Sequence, residues 1–324
     1  MSQPSPLNII QPDEYRGRFA PSPSGPLHFG SLVAAVGGYL QAKVNKGKWF
    51  LRIDDIDPPR QAASAIDDIL TCLQAHHLDW DGEVFYQSQQ TEVYDKVLAW
   101  LNENGLSYYC QCTRKQIMAE GGTYLGHCRD RNLTPVNEVI GADGHSQYSL
   151  RFLNEVSSLS FHDELMGDIR FPEDVSSEDF IIKRKDGLYA YHLASVVDDI
   201  QQGITEVVRG ADLLFPSACQ MALYRALGAS VPKMLHLPVA VFSEGRKLSK
   251  QGHAKGLDNK KASLNLYLAL AFLGLPVPKT LMHDTPEVIL QWGQDNWLIN
   301  RLYAKPERAM PMFLAEYQVS NFSY

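Results

Sequence analysis

Residues 16–31 read RGRFAPSPSGPLHFGS, and the fold turns on how this stretch is parsed. Tyr15 to Ala20 is a short strand candidate, which makes Pro21 to Gly25 a turn. From Gly30 onward Leu32, Val33, Val36 and Leu40 recur at three- to four-residue spacing, the period of a helix with one buried face. Trp49 to Ile53 reads as the next strand and ends in Asp54-Asp55. Pro58-Pro59 then breaks the chain, and helical patterns follow over roughly 61–77 and 90–104. Strand, helix, strand, helix in this order predicts an α/β fold with a parallel sheet and helices on its faces.

The middle of the chain changes character. Residues 108–131 hold cysteines and glycines with little periodicity. Residues 147–153, 159–171 and 179–193 read as strands, the last folded at the Lys185-Asp186-Gly187 turn. An antiparallel insertion over 108–190 is therefore expected, splitting a core of 15–107 and 191–252. That second half holds a strand at 204–208, a helix at 216–227 and a strand at 237–241. Residues 1–14 read as a flexible tail and 253–324 as a small helical C-terminal domain.

Lys and Arg number 30 against 37 Asp and Glu, a formal charge of −7. That excludes a surface that binds polyanions everywhere and leaves room only for local basic patches, such as Lys183-Arg184-Lys185 or Arg301, Lys305 and Arg308. The longest apolar run, Leu266 to Leu275, is too short to cross a bilayer, and the N-terminus lacks the features of a secretory signal. A cytoplasmic monomer with no membrane partner is the expectation.

Two loops carry chemistry. Pro21 to Ser31 joins a strand end to a helix start, where unpaired backbone N–H groups and the positive end of the helix dipole suit phosphate. His28 stands just before that start, and Gly30 allows close backbone approach. An isolated His-x-Gly is more often a histidine satisfying a turn. Gly245 to Gln251, GRKLSKQ, sets two lysines three apart, suited to neutralising the charge that builds on phosphates during displacement. Alone it would pass for a solvated loop.

Together they say more. The early His-x-Gly-Ser and the later Lys-Leu-Ser-Lys resemble the two signatures of class I aminoacyl-tRNA synthetases. With RIDDIDPPR (52–60), YAYHLASVVDD (189–199) and VVRGADLL (207–214), the stretch from about 16 to 252 resembles the glutamyl-type catalytic domain. The resemblance implies a Rossmann-like parallel sheet with an inserted zinc-containing, acceptor-type subdomain. It also implies glutamate contacts at Arg18, Phe19, Ala20, Pro21, Ser22, Asp54, Tyr191 and Arg209. ATP contacts would fall at Pro21, His28, Gly30, Ser31, Lys247, Ser249 and Lys250, with His28, Lys247 and Lys250 catalytic. Residue chemistry agrees: two guanidiniums and one carboxylate complement the two carboxylates and one ammonium of glutamate. Asp54 departs from the family, which carries Glu there, and Gln251 replaces a common Ser.

Of the five cysteines, Cys72 and Cys219 sit in apolar helical patterns. Cys110, Cys112 and Cys128 cluster, which points to zinc needing one more ligand. Chemistry alone nominates His127 or His145; the resemblance implies Tyr124 and a structural ion. Only residues 252–324 follow the second loop. Discriminating glutamyl-type enzymes place large anticodon-binding domains there. The expectation is thus the short branch of the family, which forms glutamyl-adenylate from L-glutamate and ATP with Mg2+ without needing RNA. It then passes glutamate to the queuosine in the anticodon of tRNA(Asp). The rivals are a short enzyme charging tRNA(Glu) at its acceptor end, a free-standing nucleotidylyltransferase and a non-catalytic RNA-binding paralogue.

Overall fold

The computed structural model describes residues 4–124, 126–134, 146–156, 159–243, 246–247 and 256–309, with backbone only at 242, 243, 246 and 247. The first half runs β1 (Arg16–Phe19), α1 (Phe29–Val44), β2 (Lys48–Ile53), α2 (Ala65–Ala75), β3 (Phe85–Tyr86) and α3 (Thr91–Glu103). Next come β4 (Ser107–Cys110), α4 (Arg114–Ala119), β5 (Ser149–Phe152), β6 (Ser160–Asp163), β7 (Gly167–Arg170), α5 (Glu173–Ser176) and β8 (Ile181–Lys183). The chain continues through α6 (Tyr191–Gln202), β9 (Glu206–Gly210), α7 (Pro216–Ala226), β10 (Lys233–Leu237), β11 (Val239–Ser243) and β12 (Arg246–Lys247). It closes with α8 (Ala262–Leu273), α9 (Pro286–Asn296) and β13 (Glu307–Ala309).

Strands β1, β2 and β3 pair in parallel. Strands β9, β10 and β6 also run parallel, with β7 antiparallel at the edge. The two groups meet where Thr205 donates its backbone N–H to Arg16 O at 2.9 Å and its Oγ1 accepts the Arg16 N–H at 2.9 Å. The parallel α/β reading is borne out. Helix α1 crosses this sheet and is buried along most of its length, at Leu32, Val36 and Leu40 among others. It lies close: a Cβ on Gly37 would fall 2.3 Å from Leu237 Cδ1, so any larger residue there would have to push that side chain aside. Leu40 is fully buried, and truncation to alanine would cost about 2–5 kcal/mol.

Five expectations need correcting, three of them in the middle of the chain. Residues 159–171 form a hairpin, not one strand, turning at Gly167, whose φ of +75° suits glycine. That hairpin pairs with β10 (Met234 beside Asp163), so part of the 108–190 stretch builds the edge of the core sheet. The antiparallel insertion proper is β4-β5-β8. Residues 179–193 do fold back at Lys185 to Gly187, closing on a Lys183–Tyr189 bridge, but Tyr191 already opens α6. Leu193, Val196, Val197 and Ile200 give α6 a helical period, while its buried Ser195, Asp198 and Asp199 disguise it.

The C-terminal helices do not form a core of their own. Leu266, Phe272 and Leu273 of α8 and Ile289 of α9 share one cluster with Leu32, Leu40 and Leu51. Helix α8 is apolar nearly all round because it is enclosed on most sides. Strand β13 then pairs in parallel with β11. The N-terminal tail is also tied down, since Leu7 packs into a second cluster with Tyr94, Val97 and Leu193. No helix among the described residues is long and apolar enough to cross a membrane.

Candidate active site

The first loop closes onto the sheet where Pro21 O accepts the Asp54 N–H at 3.1 Å. His28 is the N-cap of α1: extended in backbone, its Nδ1 accepts the Ser31 N–H at 3.3 Å. That bond puts the ring proton on Nε2. A cavity of about 380 Å³ lies above these ends of β1, β2, β9 and β10. Arg18, Phe19, Ala20, Pro21, Ser22, Asp54, Tyr191 and Arg209 all line it, and so do His28, Gly30 and Ser31. Thus the glutamate-type set and the phosphate-type set open on one space, at the positive end of a 16-residue helix. Lys247 is placed by its backbone, paired with Val241 in a short antiparallel ladder. Ser249 and Lys250 lie outside the described residues.

The charges in the cavity wall are not distributed as the sequence suggests. Arg52, fully buried, donates to Asp199 Oδ1 at 2.6 Å and to Asp54 Oδ1 at 3.0 Å, with Asp198 Oδ2 at 3.9 Å. Arg18 donates from Nε to Asp199 Oδ1 at 3.1 Å. Burial pushes the Asp199 carboxyl up, but Arg18 and Arg52 outweigh it and hold it below the usual range. Asp198 takes bonds from Tyr94 OH at 2.8 Å and Gln87 Nε2 at 2.6 Å, and burial still lifts its pKa to about 7. Arg18 and Asp54 therefore already have ionic partners within the protein.

Arg209 does not share that arrangement. It is 5% exposed, and its hydrogen-bond acceptors are all uncharged groups: His236 Nε2 at 3.1 Å, Gln220 Oε1 and Ser217 Oγ at 2.8 Å, Leu213 O at 3.2 Å, and Tyr191 OH at 3.5 Å. Burial lowers its pKa. A guanidinium caged by neutral hydrogen-bond acceptors and facing a cavity is suited to an incoming carboxylate.

The sulfur atoms of Cys110, Cys112 and Cys128 lie within 4.8 Å of one another, with Cys112 and Cys128 at 3.6 Å. A tetrahedral zinc with thiolates at about 2.3 Å sets its sulfurs about 3.8 Å apart, so the group fits a metal. Tyr124 OH lies 3.5 Å from Cys110 Sγ and accepts the Cys128 N–H at 2.9 Å. His127 turns outward to Glu120, at 2.6 Å on the surface, and His145 lies outside the described residues. Cys72 and Cys219 are buried free thiols, as read.

The family model of class I tRNA synthetases (E and Q), catalytic domain, matches residues 14–273. The chain belongs to that family. Proteins called glutamyl-Q tRNA(Asp) synthetase are its relatives at about half identity. Those of Vibrio vulnificus (strain CMCP6) and Photobacterium profundum are 49% and 50% identical over 288 and 289 residues. Both alignments cover 89% of this chain, and 91% and 90% of those proteins. That of Escherichia coli (strain K12 / MC4100 / BW2952) is 48% identical over 297 residues, covering 92% of each. Among solved structures, a glutamate tRNA ligase from Elizabethkingia meningosepticum in complex with its amino acid superposes with a TM-score of 0.76. At 22% identity, over 94% of this chain and 68% of that one, it speaks for the fold.

In this E- and Q-type synthetase, motif reading passed over Arg52, Asp198, Asp199 and His236. Three of them sit inside the quoted motifs, and the signal was charge within apolar runs: Asp198-Asp199 follows Val196-Val197, and His236 interrupts Met234-Leu235 and Leu237. The cavity shares Ser22, Ser24, Asp54 and Tyr191 with a groove of about 1300 Å³ that reaches Cys112, Arg114 and Arg184 beside the insertion. The basic patches read from sequence are partly engaged. Arg184 pairs with Asp57 at 3.1 Å and with Asp186, and Lys185 Nζ donates to Gln111 O at 2.8 Å. Arg308 donates to the Ala271 and Phe272 carbonyls at the end of α8.

Proposed function

We propose that this synthetase activates L-glutamate with ATP and transfers it to the queuosine in the anticodon of tRNA(Asp). The observation that carries the reading is Arg209, a buried cation with only neutral partners, in a cavity shared with the N-terminus of α1 and His28. The names of the relatives at 48–50% identity, over about nine-tenths of their length, support the same substrates.

In this reading Arg209 grips one carboxylate of glutamate, with Tyr191 and Ser22 adding hydroxyl contacts. Asp54, tied to Arg52, faces the ammonium, and Arg18, Phe19, Ala20 and Pro21 shape the wall. ATP enters with Mg2+, its phosphates against Pro21, the Gly30 and Ser31 backbone, Ser249 and His28, whose Nε2 carries a proton to donate. A glutamate carboxylate oxygen bonds to the α-phosphorus and pyrophosphate leaves. Lys247 and Lys250 offset the charge that grows on the departing phosphates. A hydroxyl of the queuosine cyclopentenediol then attacks the acyl carbon, and AMP leaves. The groove past Tyr191 suits a single-stranded loop with its bases splayed. Cys110, Cys112 and Cys128, with Tyr124 as fourth ligand, would hold a zinc ion that fixes the chain between β4 and β5; a fully ligated ion leaves no open position for substrate.

The test is incubation with ATP, labelled glutamate and fractionated tRNAs. An alkali-labile label on tRNA(Asp) that survives removal of the 3′-terminal adenosine, and is absent from tRNA(Asp) lacking queuosine, is the expected result. Label lost on 3′ trimming but kept without queuosine would make this an acceptor-end enzyme and refute the proposal.

A further inference from the structure

Arg209 is held from behind by residues that none of the motifs contains. His236, on β10 and fully buried, accepts the Arg209 Nε–H at its Nε2, 3.1 Å away. An imidazole that accepts at Nε2 and is neutral carries its proton on Nδ1. That Nδ1 lies 2.6 Å from Asp163 Oδ2, and Asp163 is also fully buried. The carboxylate is fixed in turn. Its Oδ1 accepts the backbone N–H groups of Leu165 at 3.1 Å and Met166 at 2.9 Å, and Oδ2 also takes the His236 N–H at 3.1 Å. Burial, together with the nearby Arg209 charge, lowers the His236 pKa, although Asp163 pulls the other way. Burial works against the Asp163 anion, but the bond from His236 holds its pKa below the usual range. A neutral imidazole beside an ionised carboxylate is the state that results.

We infer that Asp163 and His236 are positioning residues for glutamate recognition: Asp163 selects the His236 tautomer that presents an acceptor to Arg209. The inference rests on Arg209 being the carboxylate grip. Neither residue touches the cavity, since both are absent from its wall. Their effect runs through the orientation of one guanidinium. Asp163 stands at the end of β6, so the β6–β7 hairpin is what supplies this support.

Asp163→Asn separates the idea from simple loss of packing. The amide is nearly the same size. Two backbone N–H groups face Oδ1, so the amide oxygen belongs there, and the His236 N–H, already 3.3 Å from Oδ1, can turn to it. The amide NH2 then faces Nδ1 and donates to it. The ring proton must move to Nε2, where it opposes the Arg209 Nε–H, donor against donor, and has only Ser217 Oγ, 3.3 Å away, to turn to.

The experiment uses the full chain, with wild type, Asp163→Asn, His236→Gln and Arg209→Ala. Histidine 15N spectra should show His236 protonated at Nδ1 in wild type and at Nε2 in Asp163→Asn. Glutamate-dependent ATP–pyrophosphate exchange should show the KM for glutamate raised roughly 10–100-fold in Asp163→Asn, the scale set by displacing a substrate-gripping group by about 1 Å. The KM for ATP should not move. In His236→Gln the side-chain oxygen replaces the Nε2 acceptor without needing Asp163. That variant should keep the glutamate KM within about threefold, and adding Asp163→Asn to it should cost nothing further. It also decides the matter if Asp163→Asn alone fails to fold. An unchanged tautomer, or a changed tautomer with an unchanged glutamate KM, overturns the inference. An undiminished cost of Asp163→Asn in the His236→Gln background does the same. If instead Arg209→Ala leaves the glutamate KM untouched, the grip assigned to Arg209 is what fails, and the inference falls with it.

Discussion

Replacing Arg209 by alanine is the sharpest perturbation of the proposed pocket. The side chain is 5% exposed and its hydrogen-bond acceptors are uncharged, so a substrate carboxylate bound there would be left buried without a countercharge. Breaking a buried charge pair from one side costs about 3–5 kcal/mol. At about 1.4 kcal/mol per factor of ten, that is roughly 150- to 5,000-fold in kcat/KM for glutamate. Stability should move the other way from the usual expectation. The variant loses the bonds Arg209 donates, but it also removes a desolvated cation whose hydrogen-bond acceptors among the described residues are all uncharged, so the melting temperature should hold or rise. Arg209→Lys keeps the charge without the planar fork and should fall between wild type and alanine. Pyrophosphate exchange with glutamate and ATP varied separately, together with thermal melts, reads all of this. A glutamate kcat/KM within about threefold of wild type, or an equal loss for ATP, would refute the reasoning.

Arg52→Met should behave oppositely, stranding Asp54, Asp198 and Asp199 and costing about 3–5 kcal/mol in urea denaturation. If the cysteine group holds the proposed zinc, metal analysis should find one per chain, with less in Cys112→Ser and a looser β4–β5 connection by hydrogen exchange; Tyr124→Phe should keep the metal but bind it less tightly. Asp198 has a folded pKa of about 7 against a usual value near 3.8. Its contribution is therefore fully present below about pH 4 and lost as pH rises through 7. The stability of wild type relative to Asp198→Asn should fall between about pH 4 and 7, by up to about 1.4 kcal/mol per pH unit, and level off above that; a flat difference would contradict the shift.

What the sequence disclosed was what has a local period or a fixed spacing. Leu32, Val36 and Leu40 announced α1, Trp49 to Ile53 announced β2, and the cysteine spacing announced a thiol cluster whose three sulfurs do converge. The elements misread were those whose partners lie far away. Residues 159–171 read as one strand of the insertion, and only pairing with β10, some way along the chain, takes their hairpin into the core sheet. Leu266 to Leu273 read as a separate helical unit because an all-apolar helix does not say which surface encloses it. In the cavity wall the same limit applies to charge. Arg18 and Arg209 are both arginines on parallel strands, and only the fold reveals that one donates to the Asp199 carboxylate while the other donates to uncharged acceptors.

Strand β11 leads into the lysine loop and runs between two neighbours, β12 from just beyond its own end and β13 from near residue 309. During biosynthesis these neighbours do not arrive together. The ribosome extends a chain at about 5–20 residues per second, so β11 emerges and then waits several seconds while α8 and α9 are made before Glu307–Ala309 can zip against it. Until then one edge of that strand is bare, and a nascent chain stalled in α9 carries β11 on a half-built support. The order of synthesis thus makes β13 a checkpoint for the middle of the chain, and substitutions at Glu307–Ala309 are tolerable only if they leave those three residues able to pair.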